Sequence, residues 1–233
     1  MKILPEIEKI SEELTSIYKD LHQHPELGFE EIRTSKIVQQ KLSEFGVDEL
    51  HSKIGKTGVV AIINGKNNDG RTIGVRADMD ALPIEETTNL NYSSKTPGKM
   101  HACGHDGHTT MLLGAAKHLC ATRNFKGKAI LIFQPAEEGL GGARKMLKEG
   151  LFEKFPCDEI YGIHNSPNGR HGEVSICQGK AMAGAAFFDV TINAKGSHAA
   201  MPHQSIDPII ISSTLISQMQ TIVSRNIHPL ENV

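Results

Sequence analysis

Ile7, Ile10, Leu14, Ile17 and Leu21 recur at steps of three and four, so the pattern predicts a helix over about residues 5–23 with one apolar stripe. His24-Pro25 ends it, because the residue before a proline is pushed out of the helical region. Val38, Leu42 and Phe45 predict a second helix near 30–45, with Gly46 as its stop. The runs Val59–Ile63 and Thr72–Arg76 read as strands, and the polar turn Asn64 to Arg71 predicts that they form a hairpin. Beyond them a loop at 95–107 leads to a helix at about 108–122, then a strand at 129–133, a helix near 141–150 and a strand at about 159–163. Strands that are continuously apolar and alternate with helices predict an α/β class with a largely parallel or mixed sheet flanked by helices.

The pattern weakens at Ala181–Ala186, which is small and uniform enough to be a crossing point between domains. A strand at 187–193, a polar loop at 195–203 and a helix from Asp207-Pro208 follow, the aspartate as N-cap and the proline at the first helical position. Ile211, Leu215, Met219 and Ile222 form the predicted buried stripe of that helix. The expected organisation is a catalytic α/β domain over 1–180 and the opening strand and helix of a smaller α+β domain over 181–233. One strand and one helix cannot bury their faces alone, so the expectation is that the second unit is unfinished at Val233.

Composition narrows the function classes. With 25 Lys+Arg, 27 Asp+Glu and a formal net charge of −2, the chain lacks the basic excess that nucleic acid binding demands. A hydrophobic share of 39% supports a packed core, yet no run approaches the ~20 apolar residues of a membrane span, so no membrane partner is expected. The first residues carry no signal-peptide core, and Cys103, Cys120, Cys157 and Cys177 are far apart with no CxxC pair; a reduced, cytoplasmic setting is expected.

Candidate chemistry lies in three segments. They are Met100-His101-Ala102-Cys103-Gly104-His105-Asp106-Gly107-His108, then Phe133-Gln134-Pro135-Ala136-Glu137-Glu138, and Tyr161-Gly162-Ile163-His164-Asn165. Glu137-Glu138 and His164 each follow a strand, where open α/β sheets place their ligand crevice. A thiolate, imidazoles and a carboxylate suit a borderline-soft divalent ion such as zinc, and ligands so widely spread fit a catalytic site better than a structural one. In an extended segment Glu137 and Glu138 face opposite ways, so one can hold metal while the other moves a proton. Each residue also has a plainer reading: Cys103 as a small buried hydrophobe, His101, His105 and His108 as loop or helix-start residues, Glu137-Glu138 as an acidic turn, His164 as a core histidine. Asp78 and Asp80 close a strand, as turn caps or as groups that orient a ligand.

These segments, with Arg76-Ala77-Asp78-Met79-Asp80-Ala81-Leu82-Pro83, His24-Pro25-Glu26-Leu27-Gly28-Phe29 and Gly196-Ser197-His198-Ala199-Ala200-Met201-Pro202-His203, occur in an order that resembles one group across essentially the whole chain. That group is the bacterial hippurate hydrolases and N-acyl-amino-acid amidohydrolases, with plant auxin-conjugate hydrolases, in the aminoacylase/carboxypeptidase clan of metallopeptidases. The resemblance implies a zinc-exopeptidase-like fold with an inserted lid and dimerisation domain, and hence a homo-oligomer. It implies Cys103, His105, Glu138 and His164 as ligands of two divalent ions, zinc or manganese, with Glu137 as the general base and acid. Asp78 matches an acidic residue that steadies the site, and His198 a lid histidine that binds substrate or the tetrahedral oxyanion. Arg76 stands where the wider clan has a ligand histidine, and Cys103 supplies the ligand instead.

The implied activity is metal-assisted hydrolysis of the amide bond of small N-acyl or N-aroyl amino acids. The alternatives are a dipeptidase or carboxypeptidase of the same clan, or a non-catalytic metal-binding fragment. Relatives of this type are longer, with a second catalytic half and a final histidine ligand. The expectation is therefore an amino-terminal portion with little activity alone.

Overall fold

The computed structural model describes residues 3–179, 181–182, 184, 187–228 and 231. Two units divide the chain, Met1–Glu173 and Val174–Val233. The predicted crossing at 181–186 and the boundary at 180 fall largely outside the described residues.

The first unit is a mixed five-stranded sheet, flanked by helices, in the order β1-β2-β4-β3-β5. The strands are β1 (Glu49–Ile54), β2 (Gly58–Asn64), β3 (Asn67–Asp78), β4 (Lys126–Gln134) and β5 (Glu159–Gly162). β2 pairs antiparallel with β1 and β4, whereas β3 runs parallel to β4 and β5. The predicted hairpin is thus not formed: β4 lies between β2 and β3. The Gly65 and Lys66 N–H groups bond to the carbonyls of Gly127 and Phe125 at 2.9 Å, so the turn docks on the start of β4 instead of closing a two-strand ladder.

Alternation along β2 and β4 sends side chains to two cores. Val59, Ala61, Ile63, Leu131 and Phe133 pack with Ile17, Leu21, Val38, Leu42, Leu112, Leu113 and Ala116. These belong to α2 (Ser11–Gln23), α3 (Ile32–Phe45) and α4 (His105–Thr122). Val60, Ile62, Ile130 and Ile132 face the opposite side, where Met146 of α5 (Gly142–Lys148), Leu151 of α6 (Leu151–Lys154) and Phe155 cover them. Burial on both faces explains why these strands read as unbroken apolar runs.

The predicted first helix is two. A short α1 (Pro5–Glu8) is separated from α2 by Ile10, whose φ of −103° and ψ of 5° break the spiral. The apolar period continues through the break, so periodicity alone does not reveal it. Gly46 ends α3 in the left-handed conformation, as expected. Edge strand β1 was not foreseen; its exposed residues show no apolar alternation.

Between α2 and α4 lies buried His22, whose Nδ1 is 2.7 Å from Asp106 Oδ2 and whose Nε2 is 3.3 Å from Glu86 Oε1. The Asp106 hydrogen bond is the main reason its pKa rises, against the opposing effect of burial. A base raised on folding contributes stability that is complete below its unfolded pKa of ~6.5 and is lost as pH climbs through the folded value. His22→Gln is expected to cost ~3 kcal/mol at about pH 6, the toll of an unpaired buried charge. Urea unfolding should show the gap from the parent closing as pH rises; a gap that ignores pH would refute the charged pair.

In the second unit α7 (Pro208–Thr221) begins as expected, Asp207 Oδ1 accepting from the Ile209 N–H at 2.9 Å. Its predicted stripe is not buried: Ile211 and Ile222 are exposed, and Leu215 and Met219 only half-covered. The predicted strand at 187–193 is not paired; the one bridge among the described residues of this unit joins Lys195 and Ile206. A lone extended segment has no ladder to hold it, and among the described residues this unit forms no sheet that would cover the α7 stripe. Among the described residues no helix is long and apolar enough to cross a membrane.

Candidate metal centre

β3, β4 and β5 are parallel, so their carboxyl ends share one edge of the sheet. Asp78 ends β3 and Asp80 follows it; Glu137 and Glu138 follow β4; His164 follows β5. α4 starts at the same edge with His105, preceded by Cys103. Gly104 makes that entry possible: its φ is +91°, and a Cβ there would lie 2.6 Å from Asn165 Oδ1.

Potential ligand atoms of Cys103, His105 and His164 lie within 4.8 Å of one another, as do those of His105, Glu137 and Glu138. Cys103 Sγ is 3.4 Å from His164 Nε2, and His105 Nε2 is 3.8 Å from Glu138 Oε1. Hydrogen bonds on the far side set both tautomers. His164 Nδ1 donates to the Asn165 carbonyl at 2.8 Å, and His105 Nδ1 to Asp80 Oδ1 at 3.1 Å. Each ring therefore turns an Nε2 lone pair toward the cluster. His105 Nε2 and Glu138 Oε1 are buried with no hydrogen-bond partner, whereas Asp78 Oδ2, buried as well, is 2.7 Å from Arg76 Nη1. Buried acceptors left without donors, beside a thiol and a second imidazole, are the donor set of a divalent cation.

Electrostatics agree with that arrangement. Burial would raise the Asp78 carboxyl, but the His108 hydrogen bond and the charges of Arg76 and His105 bring it down to about 2. Burial opposes charge on His105, yet Asp80, Asp78 and Glu138 together raise its pKa. The Cys103 thiol is pushed up to about 12 by burial and by Glu138, Asp78 and Glu137, so without a cation it keeps its proton.

The glutamate pair is aimed by its turn. Ala136, just past β4, has a φ of +51°, a region that L side chains rarely adopt. Its N–H donates to buried Glu31 Oε1 at 2.8 Å, while Thr57 Oγ1 donates to Glu31 Oε2 at 2.5 Å. Gly28 permits the approach, since a Cβ there would stand 3.0 Å from Ala136 Cα. Glu138 N–H then donates to Asp80 Oδ2 at 2.9 Å, leaving Glu138 half-buried and Glu137 exposed. The motif from His24 to Phe29 thus supports the site from behind: Glu26 accepts from the Arg33 and Thr34 N–H groups and fixes the start of α3.

Sequence reasoning did not foresee the supporting roles of Glu31 and His108. Glu31 directly precedes α3, and no pattern in the sequence singles it out. Buried His108, one turn after Gly104, donates from Nδ1 to Asp78 Oδ1 at 2.7 Å and accepts at Nε2 from the Asn165 N–H at 3.0 Å. Asp80 orients His105, the role that its place after a strand had left open. Beside the cluster lies a cleft of about 330 Å³, lined by Tyr18, His101, Gly104, His108, Met111 and Asn165. His198 belongs to the other unit, an exposed loop residue whose Nδ1 accepts from the Ala200 N–H at 3.1 Å.

Comparison with known proteins gives a concordant picture. The profile of Peptidase family M20/M25/M40 matches residues 74–231. Hippurate hydrolase of Campylobacter jejuni is 50% identical over 229 residues, 98% of this chain and 59% of that protein. N-acetylcysteine deacetylase of Bacillus subtilis is 45% identical over 220 residues, 94% of this chain and 57% of that one. Among solved structures, a dinuclear metal-binding peptidase of the M20 family from Bacillus subtilis aligns with a TM-score of 0.65 at 45% identity, over 69% of this chain and 44% of that one. The chain thus spans less than two thirds of the length of these relatives.

Proposed function

The chain belongs to Peptidase family M20/M25/M40, and on that premise we propose that it carries the metal centre of an amidohydrolase acting on small N-acyl or N-aroyl amino acids. One observation carries the reading. His105 Nε2 and Glu138 Oε1 are buried without partners, Cys103 and His164 stand beside them, and Glu137 is exposed next door. The substrate class rests on the two relatives, whose names specify hippurate and N-acetylcysteine.

We assign Cys103, His105, Glu138 and His164 as ligands of two divalent ions, zinc or manganese. Bound there, such ions supply Lewis-acid polarisation of the acyl carbonyl and lower the pKa of water. Glu137 takes the proton of the attacking water and later delivers it to the departing amino acid nitrogen. Asp80 holds the His105 ring and Asp78 holds His108, so the ligands are set before substrate arrives. His198 is assigned to the substrate or its oxyanion, and the Val174–Val233 unit to a lid that pairs with a second copy. A thiol ligand must stay reduced, which suits the cytoplasm.

The test is metal content by elemental analysis for the parent and Cys103→Ser, with a hydrolysis panel of N-benzoylglycine, N-acetyl amino acids and dipeptides. Cys103→Ser is expected to lower zinc affinity at least about tenfold. Equal zinc content in both proteins would remove Cys103 from the centre, and preference for dipeptides would overturn the substrate class. An inactive chain that still binds zinc through Cys103 would limit the reading to the metal centre.

A further inference from the structure

Asp78 is an acid in the centre that the ligand assignment leaves out, although its geometry invites inclusion. Its Oδ2 is 3.6 Å from His105 Nε2. Two donors about 2.0–2.2 Å from one tetrahedral ion stand roughly that far apart. Indeed Asp78, His105 and His108 form a third group with potential ligand atoms within 4.8 Å of one another.

Arg76 stands against this. Its Nη1 is 2.7 Å from Asp78 Oδ2, and its Nε donates to Gln134 Oε1 at 2.8 Å. Asp78 and Gln134 are register partners across β3 and β4, so one fork spans both strand ends. The stem of Arg76 runs past Gly162 of β5, where a Cβ would lie 3.7 Å from its Cδ. The guanidinium is thus anchored at two points, and its charge sits where a cation shared by Asp78 and His105 would feel it.

Resting on the metal-centre reading above, we infer that Arg76 is a positioning residue that keeps Asp78 out of the coordination sphere, so that the ion His105 holds takes the Cys103 thiolate instead of an all-nitrogen-and-oxygen set. Two overlapping donor sets share His105, and Arg76 decides between them. With Arg76 in place the centre is soft and favours zinc or cobalt. Without it Asp78 is free to ligate, and the balance moves toward the harder manganese ion.

The experiment titrates Co²⁺, Zn²⁺ and Mn²⁺ into the 233-residue chain, following the thiolate-to-cobalt charge-transfer band and the dissociation constants. The proteins are the parent, Arg76→Gln, Arg76→Lys, Cys103→Ser and the double variant R76Q/C103S. Cys103→Ser is expected to lose the band and weaken Zn²⁺ by about a hundredfold, and the double variant to recover about tenfold of that loss. Arg76→Gln alone should shift the Mn²⁺-to-Zn²⁺ affinity ratio about tenfold toward Mn²⁺, and Arg76→Lys, which keeps the charge but loses the fork, should shift it the same way by less. A double variant that binds no better than Cys103→Ser, with the parent's band present, overturns the role of Arg76 and leaves the metal centre standing. Absence of the band in the parent overturns both. Should Arg76→Gln not fold, Gln134→Leu releases the far end of the fork and is expected to move the metal ratio the same way; no movement refutes the inference.

Discussion

Glu137→Gln is expected to lower amide hydrolysis about a thousandfold while bound metal stays at the parent's level. The two halves of that expectation come from the turn after β4. Ala136 at positive φ and the Glu138 N–H on Asp80 fix the direction of the glutamate pair, one carboxylate half-buried against His105 and its neighbour exposed. The exposed carboxylate is free to take a proton; its amide replacement has the same shape but no basicity. The half-buried one is untouched, so the ions keep their ligand. A true proton carrier should show its loss in kcat with KM nearly unchanged, because ground-state contacts survive. Glu138→Gln makes the opposite expectation, with metal affinity falling first. If Glu137→Gln retained the parent's kcat, the base would have to be sought elsewhere; if it lost metal as Glu138→Gln does, the two roles would be reversed.

What the sequence could reveal was governed by how local each determinant is. The helix ends at His24-Pro25, Gly46 and Asp207-Pro208 follow from single-residue chemistry, and the structure has them there. Strands β2 and β4 were readable because burial on both faces leaves continuous apolar runs. Their neighbours were not readable, since β4 enters between β2 and β3 from sixty residues downstream, on the order of half a domain. The ligand-type residues could be named because they cluster after strands. Their supports escaped: Glu31 meets Ala136 at a sequence separation of 105, and His108 meets Asp78 at 30. Periodicity also misled for α7, whose apolar positions lie exposed, since a stripe specifies a face and not its partner.

Glu31 is where fold and site are most tightly joined, and Glu31→Ala is expected to cost about 4 kcal/mol of unfolding free energy. Its side chain is fully buried, and everything the structure aims at it is a donor: the Ala136 N–H, the Thr57 hydroxyl and backbone N–H groups of its own turn. Burial raises its pKa, the more so because no positive charge stands among its partners, while these donors hold the rise in check. Removing the side chain strands two buried donors, at roughly 1–3 kcal/mol each, and opens a cavity behind the glutamate turn. The positive φ of Ala136 would then be held by the Gly142 N–H bond to its carbonyl and the close contact with Gly28. Loosening there reaches the centre through Glu138, so zinc affinity should also fall about tenfold, although Glu31 touches no ligand. Glu31→Gln keeps one carbonyl acceptor and the volume, and is expected to lose about half as much stability. Urea midpoints without metal measure the first effect, and hydrogen exchange at the Ala136 amide should accelerate in step with it. An Ala136 amide as protected in Glu31→Ala as in the parent would show that the turn holds itself, and that the acid beneath it is not the brace.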